Sequence, residues 1–493
     1  MPCNIDCLST YSCGDPIEVT PGAIYAPYVK LTMQGGAVIT VGNNSAPGNN
    51  MAAITSMTYG ITPGTPGYGI DLEIVDNGGT MYRQIIKQIN KTIKLVGGET
   101  FNASVDFGWV ITDCNGSTRL ETATGLTGLT LYGIFTEVEQ TYENALIKLK
   151  LKIRGPQTRA QEVRHDGAIF DEDNKGSLKD ALTKLFTEYD PKFANVLFID
   201  KDGNPANDGF FKNSDGGPAG PKGSWPMSQQ NPFAIARTWL QSVVTKNDLG
   251  ILINYDPNTA SVVFQEDPTQ GSCCRGSYGT YVINGGNCSP VLSFNPTISW
   301  PKGMIPGGGG VAGGSSTGIN NIPVEPTIDI ERAGTQTSVV PQQHEWLWRN
   351  PDDQPSKTAL GIAAHMEANS RVEGSAKGGM TAELKIIGDP EYINPVSLVG
   401  RWLSLVVINP FHITNRGQDC VWLTTSNCHA TLSNKKWLIR GVSHQIQNGS
   451  YVTTFNLMLP QPNVDIDAND TLGGAGCGTE SFDNSQTGDA DSE

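Results

Sequence analysis

Strict alternation of apolar and polar side chains constrains this chain more than any other feature of its sequence. Residues 145–153 (ALIKLKLKI) place Ile147, Leu149, Leu151 and Ile153 on one side and Lys148, Lys150 and Lys152 on the other. Only a strand that buries one face satisfies that pattern. The same period of two returns at 68–75, 101–112 and 128–154, and a closing β region is read at 380–387, 402–408, 436–446 and 450–459. Residues 31–41 alternate loosely around Gly35 and Gly36, which fits a bent or bulged strand pair. The lysine stripe is either a solvated strand face or a surface for an acidic partner.

Helices are few. Met81, Tyr82, Ile85, Ile86 and Ile89 recur at three- and four-residue spacing, predicting one amphipathic helix that ends near Lys94. Similar stripes predict helices at 178–189, at 232–245 with Pro232 in its first turn, and at 358–372. Short strands are expected at 193–199, 251–255 and 261–265, the last two joined by an Asp256-Pro257-Asn258 turn. The fold class that follows is α+β, predominantly β.

Composition then narrows the function. There are 57 Gly and 30 Pro in 493 residues, with only 17% charged, which excludes long bundles and coiled coils. The formal net charge of -15 is the wrong sign for broad phosphate contact, so no stable nucleic-acid binding is expected. No apolar run approaches the ~20 residues a spanning helix needs, and no membrane span is expected. Met1–Ser12 carries no Lys or Arg and no apolar core, so no secretory signal is expected there.

Changes in composition divide the chain. Residues 1–30 read as an amino-terminal arm, 31–155 as a β domain with one helix, and 156–290 as an inserted α/β module. Within them 155–174 reads as a polar linker and 200–225 as a surface loop rich in Gly, Pro and Asn. Residues 291–374 form a connecting segment whose stretch 306–318 (PGGGGVAGGSSTG) reads as a loop or hinge. A second β region covers 375–460, and 461–493 is an acidic tail of disordered composition.

Searches for chemistry end mostly in exclusions. Asp200, Asp202 and Asn204 open like a calcium loop, but Pro205 and Phe211 stand where Gly and Glu are needed. His344-Glu345 lacks a second His at position 348, which is Trp. Residues 441–445 lack the closing Gly of a nucleophile elbow, and 307–318 lack the Lys and Ser or Thr of a phosphate loop. The six His residues (165, 344, 365, 412, 429 and 444) show no ligand spacing and read as satisfied polar or surface residues. Cys3, Cys7 and Cys13 are the one candidate metal set, three thiols on a short arm with no evident fourth ligand. Cys273 or Cys274 with Cys288, and Cys420 with Cys428, could close loops in an oxidising medium; free thiols are the default reading. No cofactor and no catalytic set is expected.

The order of motifs in the carboxy-terminal part carries a resemblance. Met380-Thr-Ala-Glu-Leu-Lys-Ile-Ile-Gly-Asp-Pro390 is followed by an apolar strand, then Trp437-Leu-Ile-Arg-Gly-Val-Ser-His-Gln-Ile446 and Tyr451-Val-Thr-Thr-Phe-Asn-Leu457. With Phe107-Gly108-Trp109, the helix-strand-strand unit of 232–265 and Ser293-Phe294-Asn295-Pro296 upstream, this order resembles the late-control-protein-D-like hub proteins of bacteriophage tail baseplates over about 68–460. The resemblance implies that 31–155 and 375–460 are two tube-like β-barrel domains. It further implies a homotrimer whose pseudo-sixfold ring in a contractile tail adapts the tail tube protein to the central spike protein. Baseplate wedge proteins and the tape-measure protein would be further partners, and the ring would form part of the DNA-ejection conduit in the virion. Two other readings stay open: a tail-associated enzyme degrading cell wall through 156–290, and a glycan-binding module using Trp225, Trp346 and Trp348 as stacking platforms.

Overall fold

The computed structural model describes residues 23–33, 38–41, 52–61, 67–76, 78–96, 102–143, 146–155, 157–162, 164–170, 178–188, 193–200, 204–206, 224–243, 252–265, 280–283, 289–298, 307–312, 321–322, 337–342, 380–407 and 435–459. The protein is predominantly β, with helices as minor elements.

The first part runs β1 (Ile24–Met33), β2 (Val38–Val41), β3 (Ala52–Ile61), β4 (Gly69–Asp76), helix α1 (Thr80–Val96), β5 (Asn102–Thr112), β6 (Thr118–Thr122), helix α2 (Ala123–Thr127), β7 (Leu131–Glu143) and β8 (Leu146–Arg154). Its ladder order is β3-β4-β8-β7-β5-β1-β2, antiparallel throughout, and β2 returns alongside β3. Seven strands thus curl into a barrel-like wall that the described ladders leave open between β2 and β3. Alternation fills the inside: Ile70, Leu72 and Ile74 of β4 and Leu149, Leu151 and Ile153 of β8 are all buried. Each such side chain contributes about 1.5–3 kcal/mol by leaving water. Helix α1 starts where the buried Asp76 carboxylate accepts the Tyr82 backbone N–H at 3.0 Å.

Next come helix α3 (Gln157–Glu162), β9 (His165–Phe170), helix α4 (Leu178–Thr187), β10 (Asn195–Ile199), β11 (Ser224–Gln230), helix α5 (Pro232–Val243), β12 (Leu252–Asp256) and β13 (Ser261–Gln265). Strands β10, β13 and β12 make a small sheet whose Phe264 packs with Phe186 of α4, itself against Phe193 and Phe233. This core is continuous with that of the first wall, and Tyr255 of β12 meets Tyr68 at 6.4 Å.

The last part holds β14 (Thr280–Ile283), β15 (Val291–Ile298), a three-stranded sheet of β16 (Gly307–Ala312), β17 (Asn321–Ile322) and β18 (Thr337–Gln342), then β19 (Met380–Ile387), helix α6 (Pro395–Leu398), β20 (Trp402–Val407), β21 (Lys435–Gln447) and β22 (Ser450–Leu459). A second curled wall runs β14-β20-β21-β22-β19-β15, with β14 beside β15 and β14 parallel to β20. Asn448 and Gly449, both at positive φ, make the tight β21–β22 hairpin turn.

The two walls are one sheet. Strand β21 gives one edge, from Leu438 to Gln447, to β22 and splits the other: Lys435–Leu438 side with β20, and Val442–Gln447 pair with β3 of the first wall. The change falls at a bulge, where Arg440 is the extra residue between Ile439 and Gly441 against β22.

Several expectations need correction. The arm expected at 1–30 ends in most of β1; Pro27 obscures the strand in sequence, and among the described residues β2 pairs only with 29–32, so no ladder is described on that edge of Pro27. The expected linker 155–174 contains α3 and β9, and the buried Gln157 side chain anchors it by donating to the Tyr68 carbonyl at 2.9 Å. The expected loop at 200–225 reaches the start of β11, which pairs with β9. Part of the glycine stretch at 306–318 is β16, because backbone N–H and C=O groups enter a ladder whatever the side chain. The division expected at 290 falls between β14 and β15, which both belong to the large sheet. Strand β3 was not expected at all. The helix predicted at 358–372 and the tail at 461–493 lie outside the described residues.

Candidate functional site

Two features are built by the fusion of the walls: a buried joint and a continuous polar face. The joint centres on His444 of β21, which is 0% exposed. Its Nε2 lies 2.6 Å from the Tyr392 carbonyl oxygen, and a carbonyl can only accept, so Nε2 carries the proton. Nδ1 therefore accepts, from the Tyr451 hydroxyl at 2.9 Å and with Thr453 Oγ1 at 3.1 Å. Thr453 Oγ1 in turn accepts the Asp389 backbone N–H at 2.9 Å. Burial pushes the imidazole down to about 4, opposed in part by its bond to the Tyr392 carbonyl, so it is neutral at pH 7.

Around the imidazole stand Phe107, Tyr59 and Tyr451, with ring centroids at 5.2, 5.5 and 5.9 Å. Two of the first wall's side chains reach across to hold the turn that follows β19. Tyr59 of β3 donates to the Ile393 carbonyl, and Trp109 Nε1 of β5 donates to the Gly388 carbonyl at 2.7 Å. Gly388 is glycine for a steric reason, since a Cβ there would fall within the Tyr451 ring. Burial, with the nearby Glu391 and Glu121 charges adding, lifts the Asp389 carboxyl to about 6, although the Glu391 N–H bond pulls the other way. The Gly388-Asp389-Pro390 turn and the Trp437–Ile446 strand, separate in sequence, therefore meet at the joint.

The polar face is the outer side of the large sheet. One row crosses from Gln445 of β21 through Thr58, Asp71 and Lys152 to Glu137; its neighbour crosses Gln447, Ser56, Glu73, Lys150 and Glu139. The face thus passes from the second wall to the first without a break in the ladder. Two of the three lysines of β8, Lys148 and Lys152, are held by carboxylates, while Lys150 stays exposed between Glu73 and Glu139 in the ladder. Lys152 bonds Glu137 at 2.8 Å, Lys148 lies 3.1 Å from Glu143 and 3.7 Å from Glu73, and Arg154 lies 2.6 Å from Asp71. Hydrogen bonding to Glu143 and Glu137 raises the Lys148 and Lys152 ammonium groups respectively. Carboxylates on β4 and β7 match the cations of the strand between them, a pattern no single strand's sequence reveals.

Of the residues singled out in the sequence, Cys3, Cys7 and Cys13, the paired cysteines at 273–288 and 420–428, and Trp346 and Trp348 lie outside the described residues. Trp225 lies on β11, opposite Ile169. Asp200 closes a local turn, its Oδ1 accepting the Asn204 N–H at 2.8 Å. Among the described residues no three His, Cys, Asp or Glu side chains converge as a metal site, and no helix is long and apolar enough to cross a membrane.

No family model matches the chain, and no curated relative was found. Solved structures with a similar chain course include the 43 kDa tail protein of prophage MuSo2 from Shewanella oneidensis, at 10% identity and TM-score 0.46, covering 88% of this chain and 98% of that one. A tail protein from Neisseria meningitidis is 9% identical at TM-score 0.47, covering 88% and 96%. An E. coli component of the type VI secretion system is 10% identical at TM-score 0.43, covering 88% and 77%.

Proposed function

We propose that this chain is a structural hub subunit of a bacteriophage tail, three copies of which surround an axial passage between the tail tube and the spike. The observation that carries the reading is the single sheet made from two barrel-like walls, whose polar face runs unbroken across the shared strand β21. One polypeptide with two such walls gives a threefold ring six similar segments to meet a sixfold tube. The face suits a passage for nucleic acid because it holds cations without being adhesive. Each cation of β8 that meets a carboxylate on β4 or β7 is already neutralised, so passing phosphates release few counterions and gain little by binding. Walls left open in one copy leave edges that neighbouring copies can pair.

In this reading the hub sits at the baseplate of a contractile tail, and its role is architectural. Light scattering of the purified chain, alone and with the cognate spike protein, tests the assembly. The reading expects about three chains per particle with the spike. A stable monomer in the presence of the spike refutes it. A zymogram on cell-wall substrate tests the architectural role, and a clear lysis band contradicts it.

A further inference from the structure

Strand β6 is an open edge. It pairs with β5 through Thr118–Thr122, and among the described residues no strand pairs its other side. The turn before it fixes which backbone groups lie on that side. The Asp113 N–H donates to the Ser117 carbonyl at 2.9 Å, so by alternation Arg119 and Glu121 bond to β5 while Thr118 and Leu120 turn their N–H and C=O groups outward. Thr118, Arg119 and Leu120 are exposed, Leu120 at 49%. Such edges are commonly blunted by proline, by a bulge or by lysine, and β6 has none of these.

The strand is matched to itself. Thr118-Arg119-Leu120-Glu121-Thr122 laid against its own reverse sets Thr beside Thr, Arg beside Glu and Leu beside Leu. Antiparallel pairing about a two-fold axis at Leu120 therefore puts Arg119 of each copy opposite the partner's Glu121. Within one copy Arg119 lies 3.3 Å from Glu121 and 3.6 Å from Asp113, so pairing closes a ring of alternating charge with no like charges opposed. The second match is apolar. Ala26, Val110 and Leu120 stand side by side across β1, β5 and β6, on the side of the sheet opposite Trp109 and Ile111, and the axis continues that row into the same three residues of the second copy. Ile24, 68% exposed, lies in the adjacent row beside Thr112 and Thr118.

We propose that two copies of this chain pair through β6, antiparallel about a two-fold axis at Leu120, so that the large sheet runs from one chain into the other. Exchanged backbone bonds and the Leu120 contact hold the pair, and the Arg119–Glu121 matches set its register. A five-residue edge is small against the ~1,200–2,000 Å² that stable interfaces bury, so the pairing is reversible. It does not rest on the hub reading. A two-fold contact cannot itself close a ring of three, so alongside that reading it belongs to the free chain and opens when the spike is bound.

Sedimentation velocity of the full-length chain from about 1 to 100 µM tests the pairing. Wild type is expected to move from one chain towards two as concentration rises. Arg119→Glu and Glu121→Arg each oppose like charges twice across the axis, and each should weaken association about tenfold or more. Mixed in equal amounts, the two variants should associate at least as tightly as wild type, because every charge pair between them is again of opposite sign. Leu120→Cys under mild oxidation, read by peptide mass spectrometry, should link the two copies of position 120, whose Cα atoms would stand about 5.5 Å apart. Thr118→Cys should not link to itself, since its two copies would lie roughly 14 Å apart. Wild type that stays a single chain across the range, or association that neither charge reversal weakens, overturns the proposal. So does a mixture no tighter than its components, or a link at position 118 as strong as that at 120. Assembly with the spike is read separately, so failure of the hub reading and failure of this pairing are told apart.

Discussion

Acid loosens the joint through His444, and Asp389 partly offsets the loss. The folded imidazole titrates near 4 against 6.5 in the unfolded chain, so the unfolded state takes up a proton that the folded state refuses. Its contribution is complete above pH 6.5 and is lost as pH falls towards 4; from pH 7 to pH 5 the loss is about 2 kcal/mol. Asp389 has the opposite sign. Its carboxyl moves from 3.8 to about 6 on folding, so its contribution is complete below pH 3.8 and lost as pH rises through 6. Over the same interval it returns at most ~1.3 kcal/mol, and about half of that because the carboxyl keeps some contact with water. Wild type therefore loses about 1 kcal/mol from these two groups between pH 7 and pH 5. Asp389→Asn raises that loss to about 2 kcal/mol, and His444→Gln turns it into a slight gain. Gln can still donate to the Tyr392 carbonyl and accept from Tyr451, so the joint keeps its bonds in that variant. Urea unfolding followed by tryptophan fluorescence at pH 7, 6 and 5 measures all three proteins. Comparing slopes between variants cancels titrations common to them. A His444→Gln protein with the wild-type slope refutes the reasoning.

Other perturbations probe the same construction. Trp109→Phe removes the N–H donated to Gly388 and leaves that buried carbonyl unmet, costing about 1–3 kcal/mol in urea unfolding at pH 7. Gly388→Ala drives a methyl group into the Tyr451 ring and should cost about 1–3 kcal/mol or more, read as a lowered melting temperature. Phe186→Ala empties the centre of the α4–α5 packing and should cost about 3–5 kcal/mol by the same assay. Lys152→Ala, by contrast, removes an exposed ion pair and should shift stability by less than about 1 kcal/mol.

Much of this fold is legible in sequence where burial is one-sided. Strand β8 alternates from Ile147 to Arg154 because it packs a single face, β22 alternates in burial from Ser450 to Asn456 and then buries three residues in a row, and α4 and α5 show plain apolar stripes. Strand β3 escapes for a definite reason. Its ladder with β4 slips between Ile54 and Ser56, so the buried Ile54 and Met57 stand three residues apart and the period of two breaks. Strand β14 is only Thr280–Ile283, too short to show a period. The joint is less legible. His444 reads as a satisfied polar residue, which it is, but nothing local says that its partners come from 388–393 and from the hairpin strand that follows it. The split edge of β21 depends on a partner some 380 residues away, and pairing over such distances leaves no local signal. The charge matching on the polar face leaves no local signal for the same reason, since Lys148 and Lys152 find their carboxylates on two other strands.

Cryo-electron microscopy of the assembled particle tests the central claim most directly. The account predicts three copies around an open bore, with the side of the sheet that bears Gln445, Thr58, Asp71 and Lys152 turned to the axis across both walls. Density that turns that side outward, or that shows no bore along the symmetry axis, contradicts it.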